Sequence, residues 1–183
     1  GKILVYYIKQ LLFPVTLIAD YSFNSFPLST SFFEPATLLS MLLLCLIAFL
    51  TARLLFTDAL MAFAIIWFFV TLLPVCHIFP HHELLAEHYL YLPSFGFVLL
   101  VSLLLTRAAA IPRWKYPVHT FFALMVVLFS IRTVYRNYDW KDSFTIWRKT
   151  VKTVPSCVRA INNLGIEYYN RKDYQTATSL YQR

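Results

Sequence analysis

The residues able to do chemistry gather in one short stretch. His77-Ile-Phe-Pro-His-His-Glu-Leu-Leu-Ala-Glu-His-Tyr-Leu-Tyr-Leu-Pro-Ser94 holds four of the five histidines and two of the nine acidic residues. Imidazoles and carboxylates this close can share a metal ion, move a proton or steady a phosphate. Spacing narrows the choice. His82-Glu83 is followed by Leu84, Leu85 and Ala86, so the H-E-x-x-H pattern of zinc peptidases fails. The inverted H-x-x-E-H pattern fails too, because Leu84 stands where its first histidine belongs. Glu83 and Glu87 are four apart, hence on one helical face, and can hold a divalent cation together with a phosphate. His81 and His82 are the remaining weak metal candidates. Nothing in the sequence requires a cofactor; a divalent cation is the one that the spacing allows. The bland reading is a solvated loop with histidines beside lipid headgroups, and both readings stand on these residues alone. Glu83, Glu87, His88, Tyr89, Tyr91 and Asp20 are the candidates for binding a lipid phosphate or a sugar hydroxyl. A second polar stretch, from Ala19 through Asp20 to Glu34, alternates hydroxyls and aromatics. It reads as a surface loop or as a wall against a carbohydrate.

The elements that must position these groups follow from composition. Of 183 residues, 59% are hydrophobic and 14% charged. A soluble domain has about 45–50% apolar and roughly 25% charged residues. The excess exceeds what one core of this size can bury, so most of the chain needs lipid as its solvent. Disorder, collagen and a disulfide scaffold are excluded. Cys45, Cys76 and Cys157 lie far apart without C-x-x-C and read as unpaired thiols. The net charge of +7 rests largely on residues beyond Ile131, which argues against nucleic acid as a partner.

Four apolar stretches predict membrane-spanning helices over 35–54, 59–79, 89–107 and 116–135. Ile3 to Ala19 is apolar but carries Lys9 and Pro14, so it reads as the end of a further span or as an interfacial helix. Arg53 follows the first span; Arg107, Arg113 and Lys115 lie between the third and fourth. By the positive-inside rule these loops are cytoplasmic. The 20–34 segment, the 79–88 loop and everything after Arg132 then share the opposite face. The cations Arg132, Arg136, Lys141, Arg148, Lys149 and Lys152 oppose this assignment when taken alone.

The last part reads as a helical repeat. Leu164-Gly165, Tyr168, Ala177 and Tyr181 occupy the L-G, aromatic, small and aromatic positions of the tetratricopeptide (TPR) pattern. In the same register Pro155, Trp147 and Ser143 take positions of a degenerate preceding repeat, whose second helix is expected over 139–153. The chain begins at Gly1 without Met and stops at Arg183 inside a repeat, so an internal piece of a longer protein is expected. The expected fold is all-α: a partial transmembrane helical bundle over 1–138, then a linker helix and the start of a TPR solenoid over 139–183.

Three features together resemble a known arrangement: Ala86-Glu-His-Tyr-Leu-Tyr-Leu-Pro-Ser-Phe-Gly96, Arg136-Asn-Tyr-Asp-Trp140, and a repeat opening on Asn162-Asn-Leu-Gly165. They look like the transmembrane and TPR repeat-containing family of protein O-mannosyltransferases and its bacterial relatives. Leu12-Phe-Pro14 and Asp20-Tyr-Ser22 also match that pattern. Many members have Arg where this chain has His88, and an imidazole steadies a phosphate only when protonated. The resemblance implies a GT-C-type glycosyltransferase in the bacterial inner membrane or the ER membrane. Its donor would be a polyprenyl- or dolichyl-phosphate sugar, its acceptor a protein Ser or Thr. Its repeats would face the periplasm or lumen and bind protein. The family's acidic catalytic motif would lie upstream of Gly1, so none of these residues takes that role. Two other readings stand beside it: a non-enzymatic membrane-anchored TPR scaffold, and a transporter or polymerase for polyprenyl-linked glycans.

Overall fold

Pro35 opens the first long helix, where its missing N–H costs nothing and its fixed φ suits a first turn. The computed structural model describes residues 2–15, 17–21, 31, 33–76 and 85–182. Among these all the regular structure is helical, with no strand. The helices are α1 (Lys2–Leu12), α2 (Pro35–Thr57), α3 (Ala59–Leu72), α4 (Tyr91–Ala109), α5 (Lys115–Asp139), α6 (Ser143–Thr153), α7 (Val158–Asn170) and α8 (Tyr174–Tyr181). Short 3₁₀ turns extend α3 through Leu73–Val75 and lead into α4 at Glu87–Leu90 and into α5 at Pro112–Trp114.

Three helices are long and apolar enough to cross a membrane: Pro35–Thr57, Glu87–Ala109 and Pro112–Asp139. Their leucines, valines and phenylalanines are largely exposed, as a lipid solvent allows. The second expected span, 59–79, is described as a shorter helix. Ala59–Val75 is an apolar helix below that length. At about 1.5 Å per residue, a 17-residue helix falls short of the roughly 30 Å hydrocarbon layer. Pro74 forces the tighter final turn, and residues 77–79 of the expected span lie outside the described residues.

The chain divides into two compact units, 1–15 with 28–81 and 87–124, and 16–27 with 82–86 and 125–183. In the first, Asp58 separates α2 from α3 and caps α3 by accepting the Met61 N–H at 3.3 Å. Arg107, near the end of α4, ion-pairs with the same carboxylate. Its hydrogen bond holds Asp58 below the usual carboxylate range, against the opposing pull of desolvation. α3 and α4 meet at their backbones. A Cβ on Gly96 would run into the Ala64 carbonyl oxygen and come within 3.0 Å of the Phe68 nitrogen. Trp67 fills the flank, donating its Nε1–H to the Leu92 carbonyl at 3.0 Å and meeting Phe95 edge-on at 5.5 Å. Small residues that let backbones approach are the usual device where lipid removes the hydrophobic drive between helices.

The second unit is built on α6, α7 and α8. Val151, Cys157, Ala160 and Leu164 form its core, with Phe144, Trp147, Val154, Ile161, Tyr168 and Leu180 packed against them. α6 starts at Ser143, not at residue 139. α5 runs to Asp139, and Asp142 then caps α6 by accepting the Thr145 N–H at 2.7 Å. Ser143 therefore sits exposed at a helix start rather than in a helix contact. α7 and α8 fold back on each other: Tyr169 meets Tyr174 beside the turn, and Gly165 faces Tyr181 farther from it. The turn closes with Asp173 N–H donating to the Tyr168 carbonyl and Lys172 N–H to that of Tyr169. This is the Schellman arrangement, with Lys172 at φ 64° in the place usually taken by Gly.

Candidate functional site

The polar stretch singled out in the sequence is described only from Leu85 onward. Glu83, His81 and His82, with the divalent-cation site they were expected to offer with Glu87, lie outside the described residues. Among the described residues no three His, Cys, Asp or Glu side chains come together as a metal site.

Glu87, His88 and Tyr89 form the 3₁₀ turn that runs directly into Tyr91 and α4. Three residues per turn place successive side chains about 120° apart, so Glu87, His88 and Tyr89 fan out around the axis. Glu87 and Tyr89 are half-buried, and His88 is exposed. The imidazole of His88 meets the Tyr89 ring edge-on at 4.5 Å. Tyr91 is 82% exposed, like a residue at headgroup level. Leu90 and Pro93 are buried and fix the turn against the first unit, so the polar groups hang from a packed anchor. A carboxylate, an imidazole and two phenols on one turn at the start of an apolar helix can contact a phosphate or sugar hydroxyls at the membrane surface.

Asp20 belongs to the second unit, where it joins an ion-pair latch. Arg159 of α7 reaches its carboxylate at 2.7 Å, and the Asp20 side chain is only 6% exposed. Its carbonyl accepts from the Cys157 Sγ–H at 3.9 Å, and the Ala19 N–H donates to Thr150 Oγ1 at 3.3 Å. Arg136 donates to the Leu17 carbonyl at 3.2 Å and pairs with Asp139, which also takes the Lys149 ammonium. The 17–21 segment is thus strapped to α5, α6 and α7. Arg159, Arg136, Thr150 and Cys157 carry no mark of this in the sequence. The one local sign is the three-residue spacing of Arg136 and Asp139.

The residues of the expected repeat register lie on α7 and α8. Leu164 and Ala177 are buried at the α7–α8 contact, Tyr168 packs edge-on to Phe144 at 5.2 Å, and Gly165 leaves room for the Tyr181 ring. The first unit also encloses an apolar cavity of about 220 Å³ between α1, α2, α3 and α4, bordered by Ile8, Ile47, Phe68 and Phe97. None of the candidate polar residues lines it.

No family model matches the chain, and no solved structure matches it. Curated proteins do. The protein O-mannosyl-transferase Tmtc3 of Drosophila melanogaster is 24% identical over 94% of this chain and 20% of its own length. The protein O-mannosyl-transferase TMTC3 of Homo sapiens is 25% identical over 91% of this chain and 19% of its own length. The protein O-mannosyl-transferase Tmtc2 of Drosophila melanogaster reaches 33% identity over 53% of this chain and 10% of its own length. The chain thus spans about a fifth of the length of the first two. Over nearly its whole length the chain is thus similar to the protein O-mannosyl-transferases named Tmtc3 and TMTC3.

Proposed function

We propose that this chain is part of an integral-membrane GT-C-type glycosyltransferase. It transfers a sugar, mannose, from a polyprenyl- or dolichyl-phosphate donor to protein Ser or Thr. The carrying observation is the relation to protein O-mannosyl-transferases over nearly the whole chain. The physical layout supports it. A lipid-linked phosphate donor sits in the bilayer with its headgroup at the surface, and a protein acceptor comes from water. Glu87, His88, Tyr89 and Tyr91 open an apolar helix long enough to cross a membrane, which supports a site at that boundary. Glu87 takes the sugar hydroxyls or a cation, and His88 donates to the phosphate. The α7–α8 hairpin opens a protein-binding solenoid on the same side of a multi-pass bundle, in the periplasm or ER lumen.

A second reading, a membrane-anchored scaffold without activity, draws on the hairpin alone. One experiment separates them. The full-length protein is assayed for mannose transfer from polyprenyl-phosphate mannose to an acceptor protein. Glu87→Gln is expected to cut transfer about 10–100-fold, the worth of one hydrogen bond to a charged group, at an unchanged melting temperature. Transfer equal to the parent's removes the site. No transfer by the parent itself leaves the scaffold.

A further inference from the structure

The cations that follow the last apolar helix lie along one face of α6. Thr145, Arg148, Lys149, Lys152 and Thr153 recur at helical spacing and border, with Phe144, an open groove of about 580 Å³. The opposite face, Ile146, Thr150 and Val151, is buried. Packing within the hairpin therefore does not explain the basic face. Arg171 adds to it, its guanidinium 3.6 Å from the Phe144 ring centroid. Two carboxylates stand nearby. Asp139 pairs with Lys149, and Asp142 receives the Thr145 N–H. Arg148 and Lys152 stay exposed and carry the excess positive charge.

The same Lys149–Asp139 contact fixes the height of this face. Asp139 is the last residue of α5, the long apolar helix. Tyr135, Tyr138 and Trp140 are exposed around that end, in the pattern of side chains at headgroup level. With α5 across a bilayer, the groove would open beside the lipid phosphates. A guanidinium presents two parallel donors to phosphate oxygens, an ammonium a point charge, and threonine hydroxyls further donors. We propose that the Arg148–Lys152 face of α6 docks the headgroups of anionic phospholipids and lays the start of the solenoid on the membrane surface. This holds whether or not the protein transfers a sugar. It also gives a role to the basic cluster that the loop-charge argument leaves unexplained.

The test uses the purified full-length protein in neutral detergent, following its thermal unfolding. Phosphatidylglycerol is expected to raise the midpoint, less so at high salt, while phosphatidylcholine and inorganic phosphate do not. R148Q/K152Q is expected to match the parent in phosphatidylcholine and to need about 10–30-fold more phosphatidylglycerol, from the known strength of surface cations on anionic lipid. R148K/K152R keeps both charges and is expected to keep the response, which covers the case in which the neutral variant fails to fold. Four outcomes would overturn the proposal. These are equal shifts by the two lipids, an unchanged response in R148Q/K152Q, a lost response in R148K/K152R, or a shift reproduced by polyglutamate, which would assign the face to an acidic protein segment.

Discussion

Asp20 shows how a residue chosen for one chemistry can be held for another. In the sequence it stands among hydroxyls and aromatics that suit a sugar; in the fold its carboxylate is buried against Arg159. Removing only the cation leaves a buried negative charge, which costs more than removing both partners. Arg159→Met is therefore expected to lower the melting temperature more than the Arg159→Met/Asp20→Asn double variant does. The cycle should yield a coupling on the order of 1.5–3 kcal/mol. Additive effects would show that the latch holds nothing. The partner was not legible because Arg159 lies far along the chain from Asp20. Lys172 makes the complementary case. Its αL backbone costs a side-chain-bearing residue about 1 kcal/mol, and Gly is free of that strain. Lys172→Gly should stabilise the α7–α8 hairpin by up to about that amount, read as slower amide exchange across α8.

Helix starts and close approaches decide how much of the pattern survives in three dimensions. The TPR spacing located α7 and α8 because small and large residues alternate there at helical intervals. The start of α6 falls at Ser143, four residues after the expected 139, because α5 runs on to Asp139 and Asp142 caps the next helix. Asp142 also makes that start sensitive to acid. The Thr145 N–H, more than its hydroxyl or the Arg171 and Lys141 charges, holds the carboxyl below its ordinary value. The folded state thus favours the ionised form, and the stabilisation is complete above the ordinary carboxylate value. It fades as pH falls through the folded value, below about pH 4. Exchange protection of the first turn of α6 should drop in that window, and Asp142→Asn should remove the pH dependence while keeping a cap. At α3–α4, Gly96→Ala must push two backbones apart. An overpacking cost of about 1–3 kcal/mol is expected, with a lower melting temperature in detergent. An unchanged midpoint would mean that these helices do not touch at Gly96. The quoted motif ended on this glycine, but a sequence shows no neighbour across a helix interface, so its reason stayed hidden.

For the molecule as a whole, the open quantity is which side each end occupies. The apolar stretches were legible because lipid-facing helices need no partner to declare themselves: length and absence of charge suffice. Orientation is harder, because Arg107, Arg113 and Lys115 before α5 and the basic face of α6 after it make opposite demands under the positive-inside rule. The helix between them decides the matter. Pro112–Asp139 is 28 residues of mostly apolar chain, more than enough to cross a bilayer even when tilted. If that helix crosses, residues beyond Asp139 emerge on the face opposite Arg107. If α6 is bound to anionic headgroups, its cations belong to a surface contact and say nothing about translocation. Single cysteines at Ala109 and Thr176, in a background with Cys45, Cys76 and Cys157 replaced, should label with a membrane-impermeant reagent from opposite sides. A cysteine at Phe79 should label together with Thr176. Joint labelling of Ala109 and Thr176 would mean that α5 lies along the membrane or turns back within it. The repeat would then lie on the same side as Arg107, and the proposed meeting of lipid-linked donor and solenoid-bound acceptor on one face would fail with it.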